Sequence, residues 1–351
     1  MKSNKFLVCV RCPTFNHAAF IEDAMNGFCM QETTFPFVCC IVDDASTDGE
    51  PEIIRRYLQD HFDLEDESVA WNNETDIYIL SFAQHKNNRN CYFAIFYLKS
   101  NHYSIKKSKY PYFKNWMNYT KYMAICEGDD YWVDKHKLQK QIDIMESHSN
   151  CSMVICNGFS EKYGNLNQIQ MNPIRMTESG FVPTHDILEE KFGLIPTASM
   201  CYRTELYLSM PSYMKNAPVG DRPIRMWCAI NGDIYYLTTP MLVHRKFVPG
   251  SFGVRSNNNK DLAKSVYERM IVFFDEFDKS TNYKYHSDVQ YMKEREEMGY
   301  LTKIKDRKAI LRCKFFRRYP LKRQIKMYLE TYAPFCLKIL RFIKSILYKL
   351  I

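Results

Sequence analysis

Two acidic runs, each following an apolar stretch, carry most of the chemistry open to this sequence. The first is Asp43-Asp44-Ala45-Ser46-Thr47-Asp48-Gly49, behind residues 37–42. The second is Glu127-Gly128-Asp129-Asp130, behind residues 122–126. Carboxylates gathered at the end of a buried strand cost free energy unless a cation or hydrogen-bond donors offset them. Glu127, Asp129 and Asp130 offer hard oxygen ligands of the kind Mg²⁺ or Mn²⁺ takes, and a cation held there would bridge a diphosphate. A solvated turn with helix-capping aspartates fits the same spacing. Asp44 can accept a hydrogen bond from a base or a sugar, whereas Ser46, Thr47 and Asp48 also read as ordinary turn and N-cap residues.

The elements that must position these runs alternate. Residues 6–10 read as a strand, ended by Pro13-Thr14-Phe15-Asn16, and 18–30 place Ile21, Ala24, Met25 and Phe28 on one helical face. Residues 37–42 are a short apolar run of the buried parallel type. Pro51 suits the first turn of a helix over 51–58. Further strands are expected at 77–82, 122–126 and 152–156, with a helix over 138–145. Residues 60–76 read as acidic loop or peripheral helix, and 87–116 as an insertion without clean periodicity that shapes one side of a pocket. Residues 158–184 read as loop or edge strand, 197–202 as strand and 223–230 as helix. From 261 onward the composition is helical. Strand, turn and helix repeated with short connections predict a mainly parallel α/β sheet flanked by helices, with ligands beyond the carboxyl ends of its strands.

Composition narrows the class. The 351 residues are 46% hydrophobic and 25% charged, too apolar for a disordered chain, and no run reaches the roughly 20 apolar residues of a helical membrane span. The 48 Lys and Arg exceed the 40 Asp and Glu by eight, with the surplus concentrated over 303–349. Several of the 13 Cys sit inside apolar runs, where thiols behave as small hydrophobes, so a reducing cytoplasm is the expected compartment. Cys9 and Cys12 form a lone C-x-x-C pair with no matching partner for a zinc site. No G-x-G-x-x-G follows the first strand and no P-loop occurs. The scattered aromatics form no phosphate-tracking groove, so nucleic acid is not an expected partner. A hydrolase with paired carboxylates is possible in principle, but glycosidase chemistry needs two carboxyls facing across a bond, and strand-end clusters better suit a metal and a nucleotide.

Residues 8–16, 41–49 and 122–132, with Asp134, Lys137, Leu138 and Gln139 after them and Val219-Gly220-Asp221 further on, resemble in order the signatures of the family 2 glycosyltransferases. These are inverting enzymes of bacterial surface-polysaccharide type with the GT-A nucleotide-sugar fold, and the likeness covers roughly 6–253. It implies a metal-dependent transfer from a nucleotide-sugar, with UDP the first choice, to a glycan or polyprenyl-linked glycan acceptor. Asp44 would meet the base, and the backbone at Pro13 and Thr14 would line its pocket. Glu127 would approach the ribose or donor sugar. Asp129, or its neighbour Asp130, would hold Mn²⁺ or Mg²⁺. Asp221 would be the catalytic base, although it also suits an N-cap. Arg245 would face the diphosphate. Lys86, with Asn88 and Arg89, would approach the nucleotide from the end of the third strand.

The sequence departs from that pattern at three places. Arg11 stands where an apolar residue is expected, Arg222 where a Trp often flanks the base, and Phe247 where a His is expected. His244, one register away, would be the substitute metal or active-site imidazole, or would contact no ligand. Loss of turnover in a binding or scaffold protein of the same fold is the competing expectation. The domain expectation is a GT-A domain over 1–255, with a nucleotide-sugar half 1–135 and an acceptor half 136–255, followed by a helical region over 256–351. Within residues 325–351, Ile339, Leu340, Phe342, Ile343, Ile346, Leu347 and Leu350 fall near one helical face and Lys338, Arg341, Lys344 and Lys349 on the other. That pattern fits a helix lying on the inner face of the plasma membrane, or one packed on the domain. Oligomeric state is not readable.

Overall fold

The computed structural model describes residues 5–162, 165–191, 193–333 and 335. The chain packs as two units, Met1–Pro211 with Gly220–Gly250, and Ser212–Val219 with Ser251–Ile351. At the heart of the first unit four strands run parallel, in the lateral order Cys91–Leu98, Phe37–Asp43, Val8–Thr14, Tyr122–Ile125. Phe37–Asp43 and Cys91–Leu98 are buried at every position, as strands covered on both faces must be. Helix Ile21–Cys29 turns Ile21, Ala24, Met25 and Phe28 into this core, and helix Glu50–His61 contributes Ile54, Tyr57 and Leu58.

The path of the chain creates the crevice that matters. From Val8–Thr14 it moves outward to Phe37–Asp43 and Cys91–Leu98, then returns past the first strand to lay Tyr122–Ile125 on the other side. The strand order therefore reverses beside Val8–Thr14, and open α/β sheets hold ligands beyond the carboxyl ends at such a reversal. Register aligns those ends: Thr14 lies opposite Asp43, and Asp43 opposite Tyr97. The other half of the sheet is mixed. Cys201–Arg203 runs antiparallel to both Tyr122–Ile125 and Cys151–Lys162, and the long strand Asp233–Lys246 runs parallel to Cys151–Lys162.

Three expectations change. The third strand in sequence is not the next parallel one: Tyr78–His85 runs antiparallel to Cys91–Leu98 at the sheet margin. The stretch expected as an insertion contains the parallel strand itself. Its eight residues, Cys91 to Leu98, lack any hydrophobic alternation because both faces are covered. Residues 60–76 hold the short strands Phe62–Asp63 and Trp71–Glu74 rather than a helix beyond His61. The strand Asp233–Lys246, unmarked in the sequence reading, is broken in register around Pro240, the residue that obscures its pattern.

The second unit is helical. Lys260–Ser280 buries Val266, Met270, Phe273, Phe274 and Phe277, and the Asn259 side chain caps it by accepting from the Leu262 N–H. His286–Lys303 and Arg307–Arg312 share a smaller core of Met298, Leu301, Ile310, Leu311 and Phe316. Leu321–Tyr332 buries no residue fully, and Leu321, Ile325, Tyr328 and Tyr332 are exposed along one stripe. Pro334 and residues 336–351, most of the tail expected to be amphipathic, lie outside the described residues. Among the described residues no helix is long and apolar enough to cross a membrane.

Ile95 has no solvent exposure and pairs with Ile41 across the parallel ladder. Ile95→Ala should cost about 2–5 kcal/mol in urea unfolding, as for other core truncations. A loss below about 0.5 kcal/mol, the usual range of a surface change, would return residues 91–98 to the status of a surface insertion.

Candidate functional site

Two loops at the carboxyl edge are stitched together by one buried carboxylate. Glu50 opens the helix Glu50–His61, yet its side chain turns inward with no exposure. It accepts from the Thr14 hydroxyl, from the His17 backbone N–H at 2.8 Å and from Ser46 Oγ at 2.8 Å. Asp48 adds a bond from the Ala18 N–H, and Asn16 exchanges bonds with Ser46 and Thr47. The tight loops use left-handed backbone at Asn16 and Ala45. Burial pushes the Glu50 carboxyl up, against the pull of its three donors.

The third loop docks onto this pair. The Gly128 N–H donates to the Pro13 carbonyl at 3.2 Å, continuing the ladder past the strand end. A Cβ at Gly128 would lie 2.2 Å from Thr14 Oγ1, so only glycine lets the acidic loop approach. Asp129 is brought 3.9 Å from His17 Nε2, with both side chains about one-seventh exposed (15% and 14%). Burial lowers the His17 imidazole, outweighing the neighbouring acids Glu50, Asp48 and Asp130. Burial, then Asp129, Asp130 and Asp221, push the Glu127 carboxyl up to about 8; burial and Asp130 push Asp129 up to about 7.

Asp130 is spoken for within the protein. Its carboxylate accepts the Arg245 backbone N–H at 2.8 Å and faces His244 Nδ1 at 3.0 Å. The pairing of Leu242 with Trp132 and Val243 with Tyr131 sets His244 there. Burial alone would lower the His244 imidazole, but Asp130, Asp129 and Glu127 outweigh it and raise it. The Arg245 guanidinium lies over the Tyr131 ring at 4.4 Å, donates to the Asp129 carbonyl at 3.1 Å and pairs with Asp23 and Glu161. It is thus a buried cross-brace of the loop, with its charge already shared between two carboxylates.

Asp44 is wholly buried, and its carboxylate accepts the backbone N–H groups of His102 at 2.7 Å and Tyr103 at 3.2 Å and the Lys109 ammonium at 2.7 Å. These donors come from residues 99–109, directly after the strand Cys91–Leu98. Asp221 is the first residue of helix Asp221–Asn231 and caps nothing with its side chain; Gly220 holds the N-cap position. Its carboxylate, one-quarter exposed, accepts from the buried Arg225 at 2.7 Å, and Arg225 is neutralised in turn by Glu190. Arg222 also reaches Glu190, at 3.3 Å. Arg11 lays its guanidinium over the Phe113 ring at 4.8 Å, which accommodates a charge in the first strand.

The structure thus brings Pro13, Thr14, Glu127, Asp129, Asp130, His244 and Arg245 together, with Asp221 close enough for its charge to bear on Glu127. Lys86 lies elsewhere. Its strand, Tyr78–His85, runs antiparallel to the parallel set, so residue 86 emerges at the opposite edge of the sheet and donates to the carbonyls of Gln59 and Asp60. His17 and Glu50 are the residues that sequence reasoning missed. Four residues after Pro13, His17 carries no spacing signal of its own, and Glu50 reads as an ordinary first-turn helix acid. Among the described residues no set of three or more His, Cys, Asp and Glu side chains is arranged to hold a metal ion. The donor set fits a cation bound by one or two protein groups and completed by phosphate oxygens, the usual arrangement for Mg²⁺.

This order of elements, with its acidic loop at the reversal point, defines the GT-A class of fold. Residues 9–73 match the family model described as glycosyl transferase family 2. Over 255 residues the chain is 27% identical to the uncharacterized protein Rv1520 of Mycobacterium tuberculosis, which aligns with 68% of this chain; the chain spans 58% of that relative. The mannosyltransferase PcManGT from Pyrobaculum calidifontis, solved with GDP-Man and Mn²⁺, superposes with a TM-score of 0.50 at 14% identity, covering 95% of this chain and 82% of that one. S. aureus TarS with UDP-GlcNAc gives a TM-score of 0.46 at 13% identity, covering 85% and 81%.

Because Glu127 and Asp129 hold their protons higher in the folded chain than in the unfolded one, folding takes up protons between the ordinary carboxylate range and about 8. The unfolded state binds fewer protons there, so stability of the cation-free protein falls as pH rises through that window. Melting temperatures from about pH 5 to about pH 8 should fall in chelator, and Asp129→Asn should flatten the slope. A curve that rises across the window would contradict the crowded-carboxylate description.

Proposed function

We propose that this chain is a metal-dependent, inverting glycosyltransferase that moves a sugar from a nucleotide-diphosphate donor, UDP-linked in the first instance, to a hydroxyl of a glycan or lipid-linked glycan. The observation that carries this reading is the pair of partly buried carboxyls, Glu127 and Asp129, held above their ordinary range beside the strand reversal. Such a site is poised for a cation-bound diphosphate. Asp129 is the carboxylate ligand. Asp130 acts through His244, fixing that ring by its Nδ1 beside the acidic loop. A bound Mn²⁺ or Mg²⁺ supplies positive charge to the departing diphosphate.

The residues of the chain then share a single displacement. Asp221 takes the proton of the acceptor hydroxyl as that oxygen bonds to the anomeric carbon. The bond from that carbon to the diphosphate oxygen breaks, its electron pair leaving with the nucleoside diphosphate, and configuration inverts. Arg225 aims the Asp221 carboxylate, and Glu190 offsets the arginine so that the base is not held by an unshared charge. Glu127 meets the ribose or donor sugar, and Pro13 and Thr14 line the nucleotide pocket. Asp44 acts on the base side mainly by anchoring residues 99–109. The exposed stripe of Leu321, Ile325, Tyr328 and Tyr332, flanked by Lys322, Arg323 and Lys326, supports contact with an anionic membrane surface carrying the acceptor.

Titration calorimetry with UDP and with GDP, each with and without Mn²⁺, tests the donor site. One nucleotide should bind in a cation-dependent way and Asp129→Ala should abolish it, while Asp221→Asn should keep binding and lose donor turnover by at least about 100-fold. If UDP, GDP, dTDP and CMP all fail to bind folded protein, the donor-site reading falls and a scaffold role takes its place. For the membrane contact, sedimentation with vesicles containing phosphatidylserine should capture the protein. Changing Lys322, Arg323 and Lys326 together to Glu should release it; capture unaffected by those changes removes the helix from the interface.

A further inference from the structure

We infer that His17 is a protein ligand of the bound cation, facing Asp129 from the first loop. The inference rests on the cation-binding reading above and adds to it a donor from a different part of the chain. It begins with the proton inventory around Thr14. Glu50 takes hydrogen bonds on both oxygens, from the Thr14 hydroxyl, the His17 N–H and Ser46, so it acts as acceptor and the Thr14 proton points to it. The remaining partner of Thr14 Oγ1 is His17 Nδ1 at 3.0 Å. With its proton committed to Glu50, Oγ1 can only accept there, so Nδ1 carries the ring proton. In the neutral ring Nε2 is then a bare lone pair.

That lone pair faces a carboxylate. His17 Nε2 and Asp129 Oδ2 are 3.9 Å apart, too far for a hydrogen bond, and once the Asp129 carboxyl gives up its proton both are acceptors. With Asp129 ionised, two acceptors at that separation favour a cation between them. Two ligand bonds of about 2.1 Å span about 3.0 Å when they meet at a right angle and about 4.2 Å when opposed. The observed separation falls inside that range. Gly128 makes the approach possible, since a Cβ there would also lie 3.1 Å from His17 Nδ1. A bare Nε2 cannot donate to a phosphate oxygen, which counts against a direct phosphate-binding role for the neutral ring.

Electron spin-echo spectroscopy of the Mn²⁺–UDP complex of the full chain reads imidazole nitrogen on the metal directly, without any turnover. Nitrogen-14 coupling should be present in the native protein, persist in His244→Ala and disappear in the double variant His17→Ala/His244→Ala. Native protein that binds Mn²⁺ without nitrogen coupling, or coupling that vanishes in His244→Ala alone, overturns the role of His17 and leaves the donor site standing. Absence of Mn²⁺ binding with UDP or GDP overturns both. Because His244→Ala leaves the stitched loops untouched, that arm is decisive even if His17→Ala fails to fold.

Discussion

Everything at the carboxyl edge depends on burying one negative charge, that of Glu50. An ionised carboxylate removed from water is costly unless donors replace the lost hydration. Here the replacement comes from two different loops, the turn after the first strand and the turn after the second. Neither loop can leave without exposing the other to the cost of an unsatisfied acceptor. The third, acidic loop then docks on a surface whose shape is already fixed, and glycine at 128 is what that fixed surface demands.

The same principle of satisfying charge from within recurs around the site. Arg245 is divided between Asp23 and Glu161, Arg225 between Asp221 and Glu190, and Asp130 between His244 and a backbone amide. Three charges of the reading are therefore scaffold first. Glu127 and Asp129, pushed up to about 8 and about 7, are the carboxyls whose charge the protein leaves least compensated. The proposed function concentrates where internal compensation stops.

The sequence made some of this legible and hid the rest for physical reasons. Strand ends were readable because Asp43, Asp44, Asp129 and Asp130 each follow an apolar run. The role of residues 91–98 was not, because a strand buried on both faces has no alternation to detect. Lys86 was misplaced in consequence: its position depends on the direction of Tyr78–His85, and strand direction is a tertiary property. The strand Asp233–Lys246 is obscured by Pro240, although His244 and Arg245 near its end stand out in the sequence. His17 and Glu50 escaped notice since their importance lies in distances to residues 33 to 112 positions away. Spacing along a chain cannot report such pairs.

The way Asp44 tethers residues 99–109 has a consequence for how the proposed nucleotide pocket can diversify. Two of its three donors are main-chain amides, at His102 and Tyr103, which every residue but proline supplies. The tether is therefore blind to which side chains occupy those positions. A loop of equal length could be exchanged there, keeping Lys109 and avoiding proline at 102 and 103, without surrendering its attachment to the sheet. The fold thus offers an interchangeable cassette beside a fixed anchor, and in the proposed function donor preference could be rewritten in it while the proposed cation site stays as it is.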